Sequence, residues 1–420
     1  MSHKKNVYER YGVTENPFPQ NPTIVIDSSD KRVNGSIFYE GLFLAELQKF
    51  EKLLQNRTNV IYVRGTQLVR GDGKSAMMAH QFHKYAGNQN IVTAFLRCTD
   101  KNGNISEPRE YCKELIRHFH TKNYLWTAFG RLFTKFIAEN PKYNHAEQGV
   151  KLLFQKYTEP PEIVPITRFT RIVRINDLAL AFADWLTSTT GSDKSVTTKL
   201  AESYLTEPMA FLTKLARKSD KVSDYGSYLK LLMAADYEWC YFFLDQMEDS
   251  ISVASKKEIV EFTSGFRRMI EASSNCSTIV GTLHPSSLRN LMDNPDAGVN
   301  IKSFAPPDEN HCIGLYPDEV TKNGRIVDLL TLYFSHYKNT ELDNTSQQIL
   351  PFEPIVMKYI AHIYKGNLRD ILRTIHQLLK LAAEKNLDNI DEKFILDNHH
   401  EAIGKEFSQE VYNQFINGNN

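Results

Sequence analysis

Asn59-Val60-Ile61-Tyr62-Val63 runs directly into Arg64-Gly65-Thr66-Gln67-Leu68-Val69-Arg70-Gly71-Asp72-Gly73-Lys74-Ser75-Ala76. The first five residues form a short apolar run rich in β-branched side chains, which reads as a buried strand. A glycine-rich turn follows, and the pattern then predicts a helix from about Lys74. Backbone N–H groups of such a turn can converge on phosphate oxygens, because glycine tolerates the required dihedrals and leaves room for close approach. The helix adds its positive N-terminal end. Gly65, Gly71, Asp72, Gly73, Lys74, Ser75 and Ala76 are therefore the candidate phosphate-binding residues. The usual spacing G-x-x-x-x-G-K-[ST] puts its first glycine at Leu68, so Gly65 fills that place only in a loop three residues longer. The alternative is a surface turn in which Gly-Lys-Ser is accidental.

The flanking segments extend the α/β reading. Leu42, Phe43, Leu47, Phe50 and Leu54 recur at helical spacing, predicting a helix from about Tyr39 to Gln55. Ile91–Leu96 reads as a second strand, so strand, turn, helix and strand open a parallel sheet. The sheet resumes at Trp239–Leu244 and again at Ser277–Leu283. From about Pro108 to Ala235 strand signals almost vanish and apolar residues take helical spacing, which predicts a helical insertion. The first 35 residues are rich in Pro, Asn and Asp, and the prolines predict an extended arm anchored by Tyr11 and Phe18. The expected division is an arm at 1–35, a P-loop core at 36–110 and 236–305, an insertion at 111–235 and a helical lid at 306–420.

Composition excludes several classes. The 420 residues are 41% hydrophobic and 24% charged, with 50 basic and 50 acidic side chains, so net charge announces neither nucleic acid nor an acidic partner. Five cysteines (Cys98, Cys112, Cys240, Cys276, Cys312) lack C-x-x-C spacing, which predicts free thiols in a reducing compartment. His118-x-His120 and His399-His400 lack further ligands at metal spacing. Neither a leader nor an apolar run of membrane-spanning length is evident, and a cytoplasmic protein is expected.

Four further groups can carry chemistry. Lys74 is placed to reach the β- and γ-phosphates of a nucleotide and the Ser75 hydroxyl to ligate Mg²⁺. Trp239–Leu244 ends in Asp245-Gln246-Met247-Glu248, and an acidic residue at the end of an apolar strand suits a magnesium-ordering aspartate. Many hydrolytic relatives of such sites carry glutamate next; Gln246 can orient water but cannot take its proton, and Glu248 stands two residues on. Thr282, or else His284, ends the following strand, where a polar group can sense the γ-phosphate. In Lys365-Gly366-Asn367-Leu368-Arg369-Asp370-Ile371-Leu372-Arg373, the apolar face of the helix leaves Arg369 and Arg373 on a polar face. Arg267, Arg268 and Arg289 are candidates for an arginine finger in an oligomer. Arg168, Arg171 and Arg174, interleaved with apolar residues, read either as a nucleic-acid groove or as a solvated edge.

Together these segments resemble the AAA+ superfamily of P-loop ATPases, nearest to the branch of archaeal replication initiators, transposition-regulator ATPases and related bacterial ATP-binding proteins. The likeness rests on Tyr11-Gly12-Val13-x-x-Asn16-Pro17-Phe18, the Gly-Lys-Ser turn, the Asp245 and Thr282 strands, and Gly366-Asn367-Leu368-Arg369-Asp370-Ile371-Leu372. It implies an ATP·Mg²⁺ site in which Asn16, Phe18 and the Arg32–Gly35 stretch, Asn34 included, border the adenine. Lys74, Ser75 and Asp245 carry over to phosphate and magnesium, and Arg369 to the lid sensor. The family's catalytic glutamate does not carry over. After Arg373 too few residues remain for the winged-helix domain of replication initiators. The expectation is an ATPase that assembles with itself or a partner in a DNA-directed system such as transposition, replication or anti-phage defence. The alternative is a non-hydrolysing, ATP-dependent switch that signals to a partner protein.

Overall fold

The computed structural model describes residues 6–65, 71–98, 107–143, 175–213, 222–252, 254–316, 325–339 and 350–418. Within them lie five strands: β1 (Val60–Gly65), β2 (Ile91–Arg97), β3 (Trp239–Asp245), β4 (Ser277–Leu283) and β5 (Cys312–Leu315). They form one parallel sheet in the order β2-β3-β4-β1-β5. The fold class is α/β, a parallel sheet flanked by helices. Every residue of β3 and of β4 is buried, the pattern of a parallel sheet covered on both faces. β5 corrects the sequence reading, which passed over Cys312-Ile313-Gly314-Leu315. Four residues with a central glycine carry no strand signal, and pairing of Tyr62–Gly65 with Cys312–Leu315 makes the strand.

The helices used below are, in chain order, α1 (Leu44–Gln55), α2 (Lys74–Ala86), α3 (Pro108–Thr121), α4 (Tyr124–Glu139), α5 (Ile175–Thr190), α6 (Lys194–Thr206), α7 (Val222–Ala234), α8 (Lys256–Ser273), α9 (Arg325–His336), α10 (Pro354–Ile363) and α11 (Leu368–Glu384). The chain divides into two compact units. The first comprises Met1–Lys84, Gly281–Asn290 and Pro307–Asn420; the second comprises Tyr85–Val280 and Leu291–Pro306.

In the first unit, the N-terminal segment is stitched to the C-terminal helices. Phe18 is fully enclosed by the rings of Tyr333, Phe334 and Phe352, at centroid distances of 5.9, 5.5 and 6.1 Å. Such aromatic contacts add to the free energy of burial. The Tyr11 hydroxyl donates to the Leu387 carbonyl at 2.6 Å. Gly35, with φ +84°, lets the arm lie on α2: a Cβ there would meet the Ala79 Cβ at 2.4 Å. α11 starts at an N-cap, Asn367, whose side chain accepts from the Asp370 N–H. Its buried face is Ile371, Leu372, Ile375, Leu378, Leu379 and Ala382.

In the second unit, the helices after β2 share a core with the strands. The Phe119 and Tyr225 rings stand 5.8 and 6.2 Å from Phe242 of β3, and Tyr111 stands 6.3 Å from Phe262 of α8. α3 comes close to α8 at Gly265, where a Cβ would reach the Pro108 ring at 3.3 Å. α4, α5 and α6 enclose an aromatic cluster built on Phe129, Phe133, Phe136, Phe182 and Tyr204. α8 opens with a capping box, Ser255 and Glu258 each satisfying the other's backbone. The arginines Arg168, Arg171 and Arg174 lie outside the described residues.

Candidate functional site

β1 delivers Gly65 and α2 delivers Lys74, and between them Gly71 and Gly73 set the course of the turn. Their φ values, +123° and +92°, belong to backbone that side-chain-bearing residues avoid. The Gly73 carbonyl accepts from the Met77 N–H at 2.9 Å, so the turn passes directly into the helix. Residues 66–70 of the loop lie outside the described residues.

Two opposite charges are enclosed at this turn. Asp72 is 1% exposed and Lys74 7%. The Lys74 Nζ lies 3.8 Å from the Asp72 Oδ2. Both stand over Gly65: a Cβ at that glycine would fall 1.8 Å from Asp72 Oδ2 and 3.2 Å from Lys74 Nζ. Glycine at position 65 is therefore required by what lies above it. Ser75 and Ala76, the next residues of α2, are partly exposed.

The N-terminus of α11 closes on the same turn. A Cβ at Gly71 would meet Asn367 Oδ1 at 2.1 Å and Arg369 Cβ at 3.0 Å, and one at Gly73 would meet Leu368 Cδ1 at 3.2 Å. The Arg369 Nε is enclosed and has no hydrogen-bond partner among the described residues. A buried, unanswered guanidinium N–H is costly and marks a place where an acceptor fits. Arg373, one turn on, is exposed and lies 3.7 Å from Asp370.

The arm residues take structural positions. The Asn16 side chain donates to the His376 carbonyl at 3.0 Å and accepts from the Phe18 N–H. Arg32 donates to the Asn16 carbonyl at 2.7 Å and pairs with Asp30 at 2.9 Å. Burial pushes the Asp30 carboxyl up, but the bonds and charge of Arg32 outweigh it and hold the group below the ordinary carboxylate range. The Asn34 side chain donates to Ser28 and accepts from Ser36. In the same unit Thr282 is fully buried near the end of β4, and the His284 Nδ1 lies 2.7 Å from the Ser286 hydroxyl. Arg289 is exposed.

The second unit holds its own acidic cluster. Asp245, the last residue of β3, and Glu248, just after it, are buried, and the Asp245 carbonyl accepts from the Cys98 N–H at 2.8 Å. Gln246 turns the chain with φ +60°, and its Oε1 accepts from Arg97 Nε at 3.0 Å. Burial drives the Cys98 thiol well above its ordinary value, with the charges of Asp245, Glu248 and Asp249 adding to the shift. On α8, Arg267 pairs with Glu271 at 2.7 Å and the Arg268 Nε donates to the Ser264 carbonyl. Both are exposed.

Sequence reasoning singled out the Gly-Lys-Ser turn and the lid helix, and the structure brings Gly65, Gly71–Lys74 and Asn367–Arg369 together in one unit. It missed the contacts Asp72 makes with Gly65 and Asn367 makes with Gly71. No spacing rule reports them, because each depends on residues brought together only by the fold. The imidazoles of His118, His120 and His399 face the carbonyls of Thr93, Phe211 and Lys405. Among the described residues no cluster of His, Cys, Asp and Glu could hold a metal ion, and no helix is long and apolar enough to cross a membrane.

No family model and no curated protein matches the chain. Among solved structures, the ORC2 protein of Aeropyrum pernix, in ADPNP–ADP complexes, is similar to it at 9% identity and a TM-score of 0.40, over 93% of this chain and 72% of that one. A likeness of that extent assigns neither a family nor an activity.

Proposed function

We propose that this chain is an AAA+-type ATP·Mg²⁺-binding protein whose phosphate loop is Gly71–Ser75 and whose lid is the α11 region. One observation carries the reading. Two glycines in strained-for-others backbone lead into a helix whose first residue is an enclosed lysine, with the lid's N-terminus closed over the same glycines. Asp72, Asn367 and Leu368 lie where side chains at positions 65, 71 and 73 would go, which holds those positions to glycine, and the Arg369 Nε has no hydrogen-bond partner among the described residues. Those features fit a polyphosphate.

In this reading the Gly71–Ala76 backbone binds the phosphates and Lys74 neutralises the β- and γ-oxygens. Ser75 and Asp245 are the magnesium residues, with Thr282 as a γ-phosphate sensor and Arg369 as the lid sensor. Bound Mg²⁺ supplies charge neutralisation to the phosphates. Asn16, Phe18 and Asn34 border the adenine through the arm, and Arg267, Arg268 or Arg289 serves a neighbouring subunit. The proposed division remains arm 1–35, core 36–110 and 236–305, insertion 111–235 and lid 306–420. Self-assembly or a partner protein, in a DNA-directed setting, is the setting the motif resemblance supports.

Gln246 favours a second reading, in which ATP is a switch and turnover is slow or lost. The glutamine replaces a base that could take a proton, and its oxygen is already engaged by Arg97. Steady-state ATP turnover by the purified chain, with Lys74→Ala as control and duplex DNA added or omitted, separates the two. Turnover abolished by the substitution supports the ATPase, and stimulation by DNA the DNA-directed setting. Tight ATP binding without turnover supports the switch. ATP affinity unchanged by Lys74→Ala overturns the phosphate-loop assignment.

A further inference from the structure

We propose that the Asp72 carboxylate is a built-in stand-in for a phosphate, holding the anion position beside Lys74 until a nucleoside triphosphate displaces it. The proposal rests on the phosphate-loop reading above.

An acidic residue in a glycine-rich surface turn ordinarily keeps its carboxylate in water. Asp72 does the opposite: between Gly71 at φ +123° and Gly73 at φ +92°, its side chain is turned inward and is 1% exposed. Enclosing an ionised carboxylate is costly unless a cation answers it. Lys74 is such a cation, 3.8 Å away and nearly as enclosed. The carboxylate also rests directly on Gly65, 1.8 Å from where a Cβ would be, so it fills the space that glycine leaves open.

A phosphate entering this cradle needs the same lysine and the same space over Gly65. Two anions cannot share them without strong like-charge repulsion in a partly desolvated site. Binding therefore couples to rotation of Asp72 away from Lys74. Because the turn carries Asn367 and Arg369 against Gly71, that rotation is made under the N-terminus of α11. The device lowers affinity for every polyphosphate ligand and makes an occupied loop differ in shape from an empty one. The rival role for Asp72 is to position Lys74 for the ligand. The two roles predict opposite signs when the charge is removed.

The experiment is calorimetric titration of the full chain with ATP and Mg²⁺, and separately with adenosine, for wild type, Asp72→Asn, Asp72→Ser and Lys74→Ala. Asp72→Asn keeps the shape of the side chain, and Asp72→Ser keeps a hydroxyl for the turn, so a folding defect in one leaves the other to decide. Competition predicts that a folded charge-free variant binds ATP at least about tenfold tighter than wild type, with adenosine affinity unchanged. ATP affinity unchanged or weakened in the folded variants overturns the proposal while leaving the phosphate loop in place. Wild type binding ATP no tighter than Lys74→Ala overturns both readings together.

Discussion

Replacing Gly71 with alanine tests the loop–lid contact at its tightest point. The added Cβ would lie 2.1 Å from Asn367 Oδ1, 2.8 Å from its Cγ and 3.0 Å from Arg369 Cβ. Asn367 is enclosed and caps α11, so it cannot yield without releasing the Asp370 N–H. The backbone adds its own cost: φ +123° is strained for alanine by about 1–3 kcal/mol. Loss of the cap adds about 1 kcal/mol. The sum is a destabilisation of about 2–4 kcal/mol for the first unit. Gly87→Ala, in the second unit, is an unstrained control, because no atom lies within 4 Å of its Cβ position and its φ is not in the left-handed region. That substitution is expected to stay within about 0.5 kcal/mol of wild type. Urea unfolding followed by circular dichroism gives the totals, and amide exchange at Asp370 gives the local answer, faster in Gly71→Ala alone. Equal stability of the two variants, with unchanged exchange at Asp370, would refute the contact between loop and lid.

Two further outcomes are expected. Burial holds the His376 imidazole below its ordinary value of 6.5, against the raising effect of its bond to the Phe18 carbonyl, and with the charges of Arg32 and Lys380 helping to lower it. The unfolded chain therefore takes this proton first, so the His376 contribution is complete above about pH 6.5 and is lost as pH falls below it. Melting at pH 7.5 and 5.5 is expected to show a larger acid loss in wild type than in His376→Gln, which keeps a donor for Phe18; equal losses would discount the His376 contribution. The cysteines give the second outcome. Burial raises Cys112 to about 12 and Cys276 and Cys312 to about 11, and Cys98 and Cys240 well above their ordinary value. Cys276 alone among the five is partly exposed, so a thiol reagent at pH 8 is expected to label it first, with mass spectrometry locating the label. Prior labelling of Cys240 would contradict its place in β3.

Much of the fold is visible in local pattern, for physical reasons that also explain what is not. β1 and β3 open as apolar runs, Val60–Val63 and Trp239–Leu244, because both of their faces are covered, and α11 carries a clean apolar face because its other side meets solvent. β5 is invisible because its identity comes from pairing with residues some 250 positions earlier. The helices after β2 read as an insertion, and Phe119, Tyr225 and Tyr111 pack it on β3 and α8 in a shared core. Helical periodicity tells which face is buried and not what buries it. At the site, Gly71, Gly73 and Lys74 were legible because glycine and a helix-opening lysine are local requirements. The inward turn of Asp72 was not, since it depends on Gly65 across the loop and on Lys74 as an answering charge.

α11 ties these parts into one mechanical element. Its first turn rests on Gly71 and Gly73 through Asn367, Leu368 and Arg369. Some two turns later, His376 holds the arm from both sides, its Nδ1 donating to the Phe18 carbonyl at 2.7 Å and its carbonyl accepting from Asn16. His376 lies nine positions after Asn367, a rise of about 13 Å, and the interior of α11 carries no glycine or proline to absorb a bend. The arm in turn is fixed at Phe18 by Tyr333, Phe334 and Phe352, so it cannot take up a displacement by simply sliding. A group that forces Asn367 off Gly71 must therefore move the helix as a body and carry the arm with it, or else break the cap. Breaking the cap costs about 1 kcal/mol, whereas uncovering Phe18 costs about 2–3 kcal/mol or more. The cheaper response is therefore release of the Asn367 cap, with Phe18 kept covered and the arm left attached to α11.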